Sequence, residues 1–299
     1  MTEKNLYGAI EAGGTKFVCA VGYSPDAFIA NKTFLTTTPE ETFASVIEFF
    51  RKIERDYQPL ARIGVASFGP VDIDPASPAY ASILKTPKSG WSGVNFLEQL
   101  APLDAPVTVE TDVNGAALGE YTYGAGRALQ SIAYVTVGTG IGVGVVKNGQ
   151  PLSGIGHYEM GHIRPPRDQA RDPFEGRCPF HGGCLEGLAS GPAIIDRWGA
   201  PLCELGPEAV ALESEYLSHL ALTIVLAHMP ERIVFGGGVM KTLGLNEKLR
   251  ADTARLLGGY IQAEALSGDL EDYIVSPALG DLAGVTGAMA LATQKDKKV

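Results

Sequence analysis

The feature that most constrains the fold of this chain is a local pattern that occurs twice: an apolar strand, a turn of glycine and threonine, and a second apolar strand. The first copy covers residues 6–21, with its turn at Gly13-Gly14. The second covers residues 132–146, with its turn at Gly138-Thr139-Gly140. Sequence identity between the copies is slight, but the shared pattern predicts two related lobes that face each other.

Helical patterns alternate with these strands, which indicates an α/β protein. Thr38-Pro39-Glu40-Glu41 is typical of a helix start, because Thr38 can cap the helix, Pro39 suits the first turn and Glu41 completes a capping box. We place the domain boundary near residue 113. The N-terminal lobe is predicted to comprise residues 1–113 with a C-terminal helix at about 283–299, and the C-terminal lobe residues 114–282.

Length and charge restrict the class of protein. The 299 residues are enough for two lobes with a sizeable core. Because 34 acidic residues outnumber 24 basic ones, for a net charge of −10, we expect neither a nucleic-acid nor an anionic-membrane partner. We find no secretion signal and no run of about 18 apolar residues. Together with only four cysteines, this predicts a protein of the reducing cytoplasm.

The two glycine turns allow two interpretations. Glycines let a backbone approach a ligand and point amide N–H groups at phosphate. Gly-Gly is also a common hairpin turn, and either turn taken alone favours that simpler reading. Two turns in matching positions favour a nucleotide held between lobes. Neither turn fits G-x-G-x-x-G or G-x-x-x-x-G-K-[ST], so the motifs exclude a nicotinamide dehydrogenase and a Walker-type ATPase.

A cysteine- and histidine-rich loop at about residues 157–187 predicts a structural zinc site. Cys178-x-x-His181-x-x-Cys184 supplies three ligands in seven residues, and either His162 or His157 supplies the fourth. Two thiolates and two imidazoles suit tetrahedral zinc, and four protein ligands indicate a closed site. The alternatives are a chance cluster of loop residues or a redox-active cysteine pair.

Three carboxylates could take part in chemistry. Asp112 ends a predicted strand and precedes a helix, where a general base would lie, but the residues alone favour the simpler reading that Asp112 or Asn114 caps that helix. Glu159 and Glu186 flank the proposed zinc loop and could accept hydrogen bonds from the hydroxyl groups of a ligand. Loop glutamates are more often simply solvated.

Taken together, these residues resemble the ROK family, which contains repressors and sugar kinases, and in particular its bacterial zinc-containing fructokinase branch. The resemblance rests on motifs that occur in family order along nearly the whole chain. They are Glu11 to Lys16, Ser67 to Pro70, Thr86 to Trp91, Thr111 to Glu120, Val137 to Gly142, Glu159 to His162, Cys178 to Glu186, Ser190 to Pro192 and Phe235 to Val239.

The resemblance implies an actin-like ATPase fold of two ribonuclease-H-like lobes, with ATP and a hexose in the cleft between them. It implies that Asp112 is the general base that accepts the proton of the sugar hydroxyl. The remaining implied sites are Gly13, Gly14, Thr15, Lys16, Thr139, Gly140, Pro192, Gly236, Gly237, Gly238, Val239 and Met240 for ATP, Gly69, Pro70, Asp112, Glu159, His162 and Glu186 for the sugar, and His162, Cys178, His181 and Cys184 for zinc.

The same resemblance implies Mg²⁺ with ATP, a cytoplasmic homodimer and a fructokinase that forms fructose 6-phosphate. Three positions differ from the commoner family pattern: His181 replaces a cysteine of the zinc loop, Glu11 replaces Asp, and Thr111 replaces Asn. The last two fit the fructokinase branch. Mannose, glucose and N-acetylhexosamines remain alternative substrates.

Three other classes of protein compete with a kinase. A sugar-sensing repressor would carry a DNA-binding module ahead of the first strand, and we expect none because that strand begins near Leu6. A non-catalytic sugar-binding protein would have no use for Asp112. A zinc hydrolase needs an open coordination position, whereas this loop offers four ligands.

Overall fold

The computed structural model describes residues 4–294. Its strands are β1 Leu6–Ala12, β2 Lys16–Ser24, β3 Ala27–Leu35, β4 Leu60–Ser67, β5 Val107–Thr111, β6 Ser131–Val137, β7 Ile141–Lys147, β8 Gln150–Pro151, β9 Arg232–Gly236 and β10 Ile274–Val275. Its α-helices are α1 Pro39–Asp56, α2 Phe96–Leu100, α3 Asp112–Tyr123, α4 Leu185–Ala189, α5 Gly191–Trp198, α6 Pro207–His228, α7 Leu245–Leu257 and α8 Ala283–Thr293. The predicted α/β class is confirmed.

The described chain forms two compact units. The first comprises residues 4–127, 149–157 and 281–294, and the second residues 128–148 and 158–280. The boundary placed near residue 113 from the sequence falls inside α3, which lies wholly in the first unit. Helix α3 packs on α8 so closely that a Cβ atom on Gly287 would lie 1.7 Å from the carbonyl oxygen of Gly115. This helix contact fixes α3 to the first unit. The last residues of the predicted C-terminal helix, 295–299, lie outside the described chain.

The sheet of the first unit has the strand order β3-β2-β1-β4-β5. Strands β1, β2 and β3 are antiparallel, whereas β4 and β5 run parallel to β1. Parallel strands end at the same edge of a sheet, and Ala12, Ser67 and Thr111 are register partners at that edge. Ligands of open α/β sheets bind outside the carboxyl ends of such strands. The topology therefore favours this edge as the location of a ligand site.

Helix α1 starts as the sequence predicts. Thr38 Oγ1 accepts a hydrogen bond from the Glu41 backbone N–H at 3.3 Å, and Pro39 is the first helical residue. The helix buries Phe43 and Phe50 against the sheet core. Local capping chemistry and an apolar face are sufficient to define this element.

Trp91 holds the long loop between β4 and α2 in the core. Its ring is fully buried and lies 5.5–5.9 Å from the rings of Phe17, Phe43 and Phe68. Its indole N–H donates to the Thr37 carbonyl oxygen at 2.9 Å. A buried tryptophan needs such a partner for its one polar group. The loop is therefore an integral part of the first unit.

The second unit repeats the hairpin. Strands β6 and β7 are antiparallel and joined by the second glycine turn, and β9 and β10 run parallel to β6. Among the described residues, helix α6 is long and apolar enough to cross a membrane by length and composition, and 61% of its apolar window is buried inside the structure. The core helix of a soluble protein meets the same criterion.

Candidate active site and metal centre

Three chain segments leave the sheet of the first unit at its carboxyl edge, and each carries predicted site residues. The Gly13–Lys16 turn follows β1, Gly69-Pro70 follows β4, and Asp112 follows β5. The Phe68 backbone N–H donates to the Ala12 carbonyl oxygen at 2.7 Å, which holds the start of the second segment beside the first. The Gly69-Pro70 peptide bond is cis. The structure thus groups three separate stretches of sequence into one region.

The first glycine turn is tight and open to solvent. The Gly13 N–H donates to the Lys16 carbonyl oxygen at 2.9 Å, and a Cβ atom on Gly13 would lie 2.8 Å from that oxygen. Gly14, Thr15 and Lys16 are exposed, and a Cβ on Gly14 would meet nothing within 4 Å. The turn leaves space beside its backbone and has one cation, two features that suit a phosphate group.

Asp112 is the first residue of α3, and Thr111 caps that helix. Thr111 Oγ1 accepts the backbone N–H of Asn114 at 3.2 Å. The capping role considered for Asp112 or Asn114 therefore belongs to Thr111. The Asp112 carboxylate accepts the Val113 N–H at 2.8 Å, so it lies at the positive end of the helix, where negative charge is stabilised.

Sequence reasoning missed Glu110, whose carboxylate accepts hydrogen bonds from residues on both sides of Asp112. Glu110 Oε1 accepts the Asn114 side-chain amide at 2.9 Å and the Thr111 backbone N–H at 2.8 Å. Burial raises the pKa of Glu110, and the hydrogen bonds from Asn114 and Thr111 oppose that rise, as does the nearby His157. The sequence predicts that a strand ends and a helix begins at Asp112, but not that the Glu110 side chain turns back to accept the Asn114 amide.

Glu11 adds a second buried carboxylate to the region. Burial, and then the negative charge of Asp112, raise the pKa of Glu11 to about 7, while Lys16 acts in the opposite direction. Its carboxylate accepts a backbone hydrogen bond from Val285, in the first turn of α8. Glu11 Oε2 is buried without a hydrogen-bond partner in the described chain. An unsatisfied carboxylate of this kind is costly in a fold and typical of functional sites.

In the second unit, three segments that carry predicted nucleotide-binding residues lie together. The Gly191 N–H, at the start of α5, donates to the Gly138 carbonyl oxygen at 2.8 Å, so Pro192 lies next to the turn that contains Thr139 and Gly140. Gly237 has a φ of +96°, and a Cβ atom there would lie 2.3 Å from the Val137 carbonyl oxygen. Segment 236–240 therefore packs on the strand that leads into the same turn.

Glu186 connects that turn to the cysteine- and histidine-rich loop. Its Oε2 atom accepts the Ile141 N–H at 3.0 Å. Gly161, between Glu159 and His162, lies so close that a Cβ atom would be 1.9 Å from the Ile141 carbonyl oxygen. Ile141 is thus flanked by Glu186 on one side and the Glu159–His162 segment on the other. The predicted sugar residues of the second unit form one group.

The structure brings His162, Cys178, His181 and Cys184 together, with one donor atom from each lying within 4.8 Å of all the others. His162 Nδ1 is 3.4 Å from Cys184 Sγ, and His181 Nδ1 is 3.6 Å from Cys178 Sγ. Donors around a tetrahedral ion with bonds of 2.0–2.3 Å are about 3.3–3.8 Å apart. The cluster can therefore hold a metal ion, and it contains His162 and not His157.

Local geometry explains how distant ligands meet. Cys178 and Gly182 exchange backbone hydrogen bonds of 3.3 and 2.9 Å across a tight turn, and Gly182 takes a φ of +57°. The Leu185 N–H donates to the Ile163 carbonyl oxygen at 2.8 Å, which places Cys184 beside His162. His162 Nε2 lies 3.9 Å from a Glu159 oxygen. A carboxylate on the far nitrogen of a ligand histidine orients it towards the metal.

The predicted site residues fall into two groups, one per unit. Gly13 to Lys16, Gly69, Pro70 and Asp112 belong to the first unit. The second unit holds Thr139, Gly140, Glu159, His162, Cys178, His181, Cys184, Glu186, Pro192 and the segment from Gly236 to Met240.

Comparison with known proteins identifies the class to which this arrangement belongs. A model described as the ROK family matches residues 7–295. Similar curated proteins include a fructokinase from Zymomonas mobilis, 44% identical over 99% of both chains, and one from Streptococcus mutans, 41% identical over 96% of this chain and 97% of that protein. A ROK hexokinase from Thermus thermophilus superposes with a TM-score of 0.76 at 26% identity, over 96% of this chain and 97% of that one.

The fold is therefore the actin-like ATPase fold of ROK sugar kinases. The chain belongs to the ROK family, as the ordered motifs predict.

Proposed function

We propose that this chain is an ATP-dependent fructokinase, which converts D-fructose and ATP to fructose 6-phosphate and ADP. The observation that carries the proposal is its end-to-end similarity to fructokinases, at more than 40% identity. The site agrees with it, because sugar phosphorylation requires a base to accept the hydroxyl proton and backbone amides and a cation to bind phosphate. Asp112 at a strand end, the glycine turns and Lys16 offer these groups.

Asp112 is the general base of the proposed reaction. The sugar hydroxyl gives its proton to the Asp112 carboxylate as its oxygen forms a bond to the γ-phosphorus. The bond between that phosphorus and the bridging oxygen breaks, and ADP leaves with the electron pair. Phosphoryl transfer passes through a loose transition state, so positioning and charge neutralisation supply most of the rate enhancement. Mg²⁺ bound with ATP neutralises phosphate charge when present.

The nucleotide contacts divide by chemistry. Gly13, Gly14, Thr15, Lys16, Thr139 and Gly140 approach the phosphates, since they offer accessible backbone and one ammonium group. Pro192 and residues Gly236 to Met240 border the nucleoside. Support comes from the close packing of the 138–140 turn, the start of α5 and the 236–240 segment.

The sugar contacts are Gly69, Pro70, Asp112, Glu159, His162 and Glu186. Carboxylates and a histidine suit a polyhydroxylated ligand, because each hydroxyl needs both a donor and an acceptor. Glu186 already accepts one backbone N–H through Oε2, which fixes its direction. Its other oxygen is the one proposed for the sugar.

The proposed metal is structural Zn²⁺, bound by His162, Cys178, His181 and Cys184. Two thiolates and two imidazoles are a common zinc ligand set, and four protein ligands leave no position for substrate. Bound zinc fixes the loop and supplies no step of the reaction. By resemblance to the family, the enzyme is a cytoplasmic homodimer. Light scattering during size-exclusion chromatography tests the dimer by giving the mass relative to the 31.5 kDa chain.

The test is release of ADP from Mg·ATP by the purified protein with fructose, mannose, glucose, N-acetylglucosamine and N-acetylmannosamine. The largest kcat/KM with fructose, and a product phosphorylated on its 6-hydroxyl, would support the proposal. A larger kcat/KM with another sugar would reassign the substrate. An absence of turnover with all five, by protein that binds ATP, would refute kinase activity towards these sugars.

A further inference from the structure

Asp172 lies at the centre of a buried ionic network that the proposed reaction does not use. Its side chain is 3% exposed. Asp172 Oδ1 accepts Arg197 Nε at 3.1 Å, and Oδ2 accepts the Tyr216 hydroxyl at 2.5 Å. Arg167 Nε lies 4.0 Å from the same carboxylate. Two arginines and a phenol from three parts of the second unit thus meet at one aspartate.

The network joins two helices to the cysteine- and histidine-rich loop at about residues 157–187, which carries the proposed zinc ligands and is called the metal-bearing loop below. Asp172 and Arg167 belong to the loop between His162 and Cys178, whereas Arg197 lies on α5 and Tyr216 on α6. Arg167 Nη2 also donates to the Asp172 and Phe174 carbonyl oxygens, which closes this part of the loop on itself. Arg197 Nη1 donates to the Leu188 carbonyl oxygen of α4 at 2.8 Å.

Asp172 is the charged partner on which both arginines depend. Glu213 is the other carboxylate beside Arg197, but burial raises the pKa of Glu213 well above its ordinary value, which favours the neutral acid. Burial, followed by the contact with Asp172, raises the pKa of Tyr216, so the phenol stays protonated and donates. Loss of the Asp172 charge would leave two buried guanidinium groups without a counter-charge, which is strongly unfavourable.

The network extends from the proposed zinc site to the helix that carries Pro192 of the proposed nucleotide site. A Cβ atom on Gly183, next to the ligand Cys184, would lie 3.0 Å from Arg167 Nη1. At the other end, Arg197 follows Pro192 by five residues on α5. The Arg197 guanidinium also lies 4.6 Å above the Phe174 ring, so loop and helix are stacked as well as paired.

We propose that Asp172 is a positioning residue that fixes the metal-bearing loop on α5 and α6, so that the buried network and the metal ion hold the same loop. The part of this inference that concerns metal rests on the zinc site proposed above. Because both attachments act on one segment, weakening the network lowers metal affinity, and saturating metal compensates for a weakened network.

The test compares Asp172→Asn with Asp196→Asn. Asp196 provides a matched control, because it also joins α5 to the loop through Arg177 at 2.9 Å, but its side chain is 47% exposed. An exposed ion pair contributes little. Tyr216→Phe removes one hydrogen bond and leaves the charges in place. It therefore replaces Asp172→Asn if that variant does not fold.

Two measurements report directly on the metal-bearing loop: the rate of Zn²⁺ release and the rate of tryptic cleavage. We expect Asp172→Asn to release Zn²⁺ to a chromophoric chelator about tenfold faster than wild type. We also expect faster tryptic cleavage after Arg167, whose side chain is buried in the network. Tyr216→Phe should show smaller changes in the same direction, and Asp196→Asn none. In steady-state kinetics, Asp172→Asn should raise the KM for fructose more than it lowers kcat, and added Zn²⁺ should restore the KM.

The outcomes separate this inference from the zinc proposal. The inference would be overturned if Asp172→Asn released Zn²⁺ and were cleaved after Arg167 at the same rates as Asp196→Asn. It would also be overturned if Asp172→Asn released Zn²⁺ faster but added Zn²⁺ did not restore its KM for fructose. If wild-type protein binds no zinc, the zinc site is refuted, and the rate of cleavage after Arg167 alone decides whether Asp172 fixes the loop.

Discussion

The side-chain amide of Asn114 donates a 2.9 Å hydrogen bond to Glu110, and the same carboxylate oxygen accepts the Thr111 backbone N–H. This pair spans the junction between β5 and α3, and Asp112 lies inside the span. Its position is therefore set by a buried hydrogen-bonded pair rather than by a free loop.

We expect Asn114→Ala to lower kcat for fructose phosphorylation about tenfold and to reduce the free energy of unfolding by about 1–2 kcal/mol, because Glu110 loses a buried partner and the Asp112 segment can shift. Steady-state kinetics and urea denaturation measure the two effects. Thr122→Ala is the control, since Thr122 donates to the Leu118 carbonyl oxygen at the far end of the same helix. Equal kcat values for Asn114→Ala and Thr122→Ala would contradict the prediction.

Asp112→Asn removes the proposed proton acceptor and keeps the shape of the side chain. We expect kcat to fall by about 10²–10⁴ while the dissociation constant for fructose changes little. Rapid-quench kinetics and calorimetric fructose binding distinguish the two. A variant that binds fructose normally and keeps kcat within a factor of three of wild type would exclude Asp112 as the base.

Glu11 makes stability depend on pH. Its pKa is about 7 in the folded protein against an ordinary value of 4.5, so its contribution is fully present below pH 4.5 and is lost as pH rises through 7. We expect the free energy of unfolding of Glu11→Gln, relative to wild type, to increase by up to about 3 kcal/mol between pH 4.5 and 8. Urea denaturation at both pH values measures it, and a difference that does not vary with pH would count against the raised pKa.

Metal content should depend on the four-residue cluster. We expect Cys178→Ser and His181→Ala to lose most of the bound zinc and to melt at a lower temperature, because metal binding contributes directly to folding of such loops. Elemental analysis and thermal denaturation report the two effects. Cys203→Ser, a change at an exposed cysteine outside the cluster, should keep full zinc content. Unchanged zinc in the Cys178→Ser variant would refute the ligand assignment.

Two neighbouring glycines should respond differently to alanine. We expect Gly237→Ala to cost more than about 1 kcal/mol of stability, since its φ is +96° and the new Cβ atom would collide with the Val137 backbone. Gly238→Ala should be tolerated, because a Cβ atom there meets nothing within 4 Å and its φ is −64°. Thermal denaturation of both variants checks this, and equal losses would contradict it.

Much of the fold follows from local sequence. The Thr38 cap and the apolar face of α1, and the two hairpins with their glycine turns, depend on residues within a few positions of one another. The same holds for three of the four cluster ligands, which lie within seven residues from Cys178 to Cys184. That His162 rather than His157 completes the cluster follows from tertiary contacts. The Leu185–Ile163 hydrogen bond places Cys184 beside His162, and no spacing rule reveals it.

Local sequence is sufficient to predict the α/β class, the family, and the residue types available at each strand end. Short-range hydrogen bonding, side-chain periodicity and ordered motifs carry that information. The packing of the folded chain is needed to see that Glu110 supports the Asp112 junction, and that Asp172, Arg197 and Tyr216 form one buried network across 44 positions. Whether a charged side chain is solvated or buried against a counter-charge depends on how distant segments pack, and burial affects both its pKa and its energetic cost.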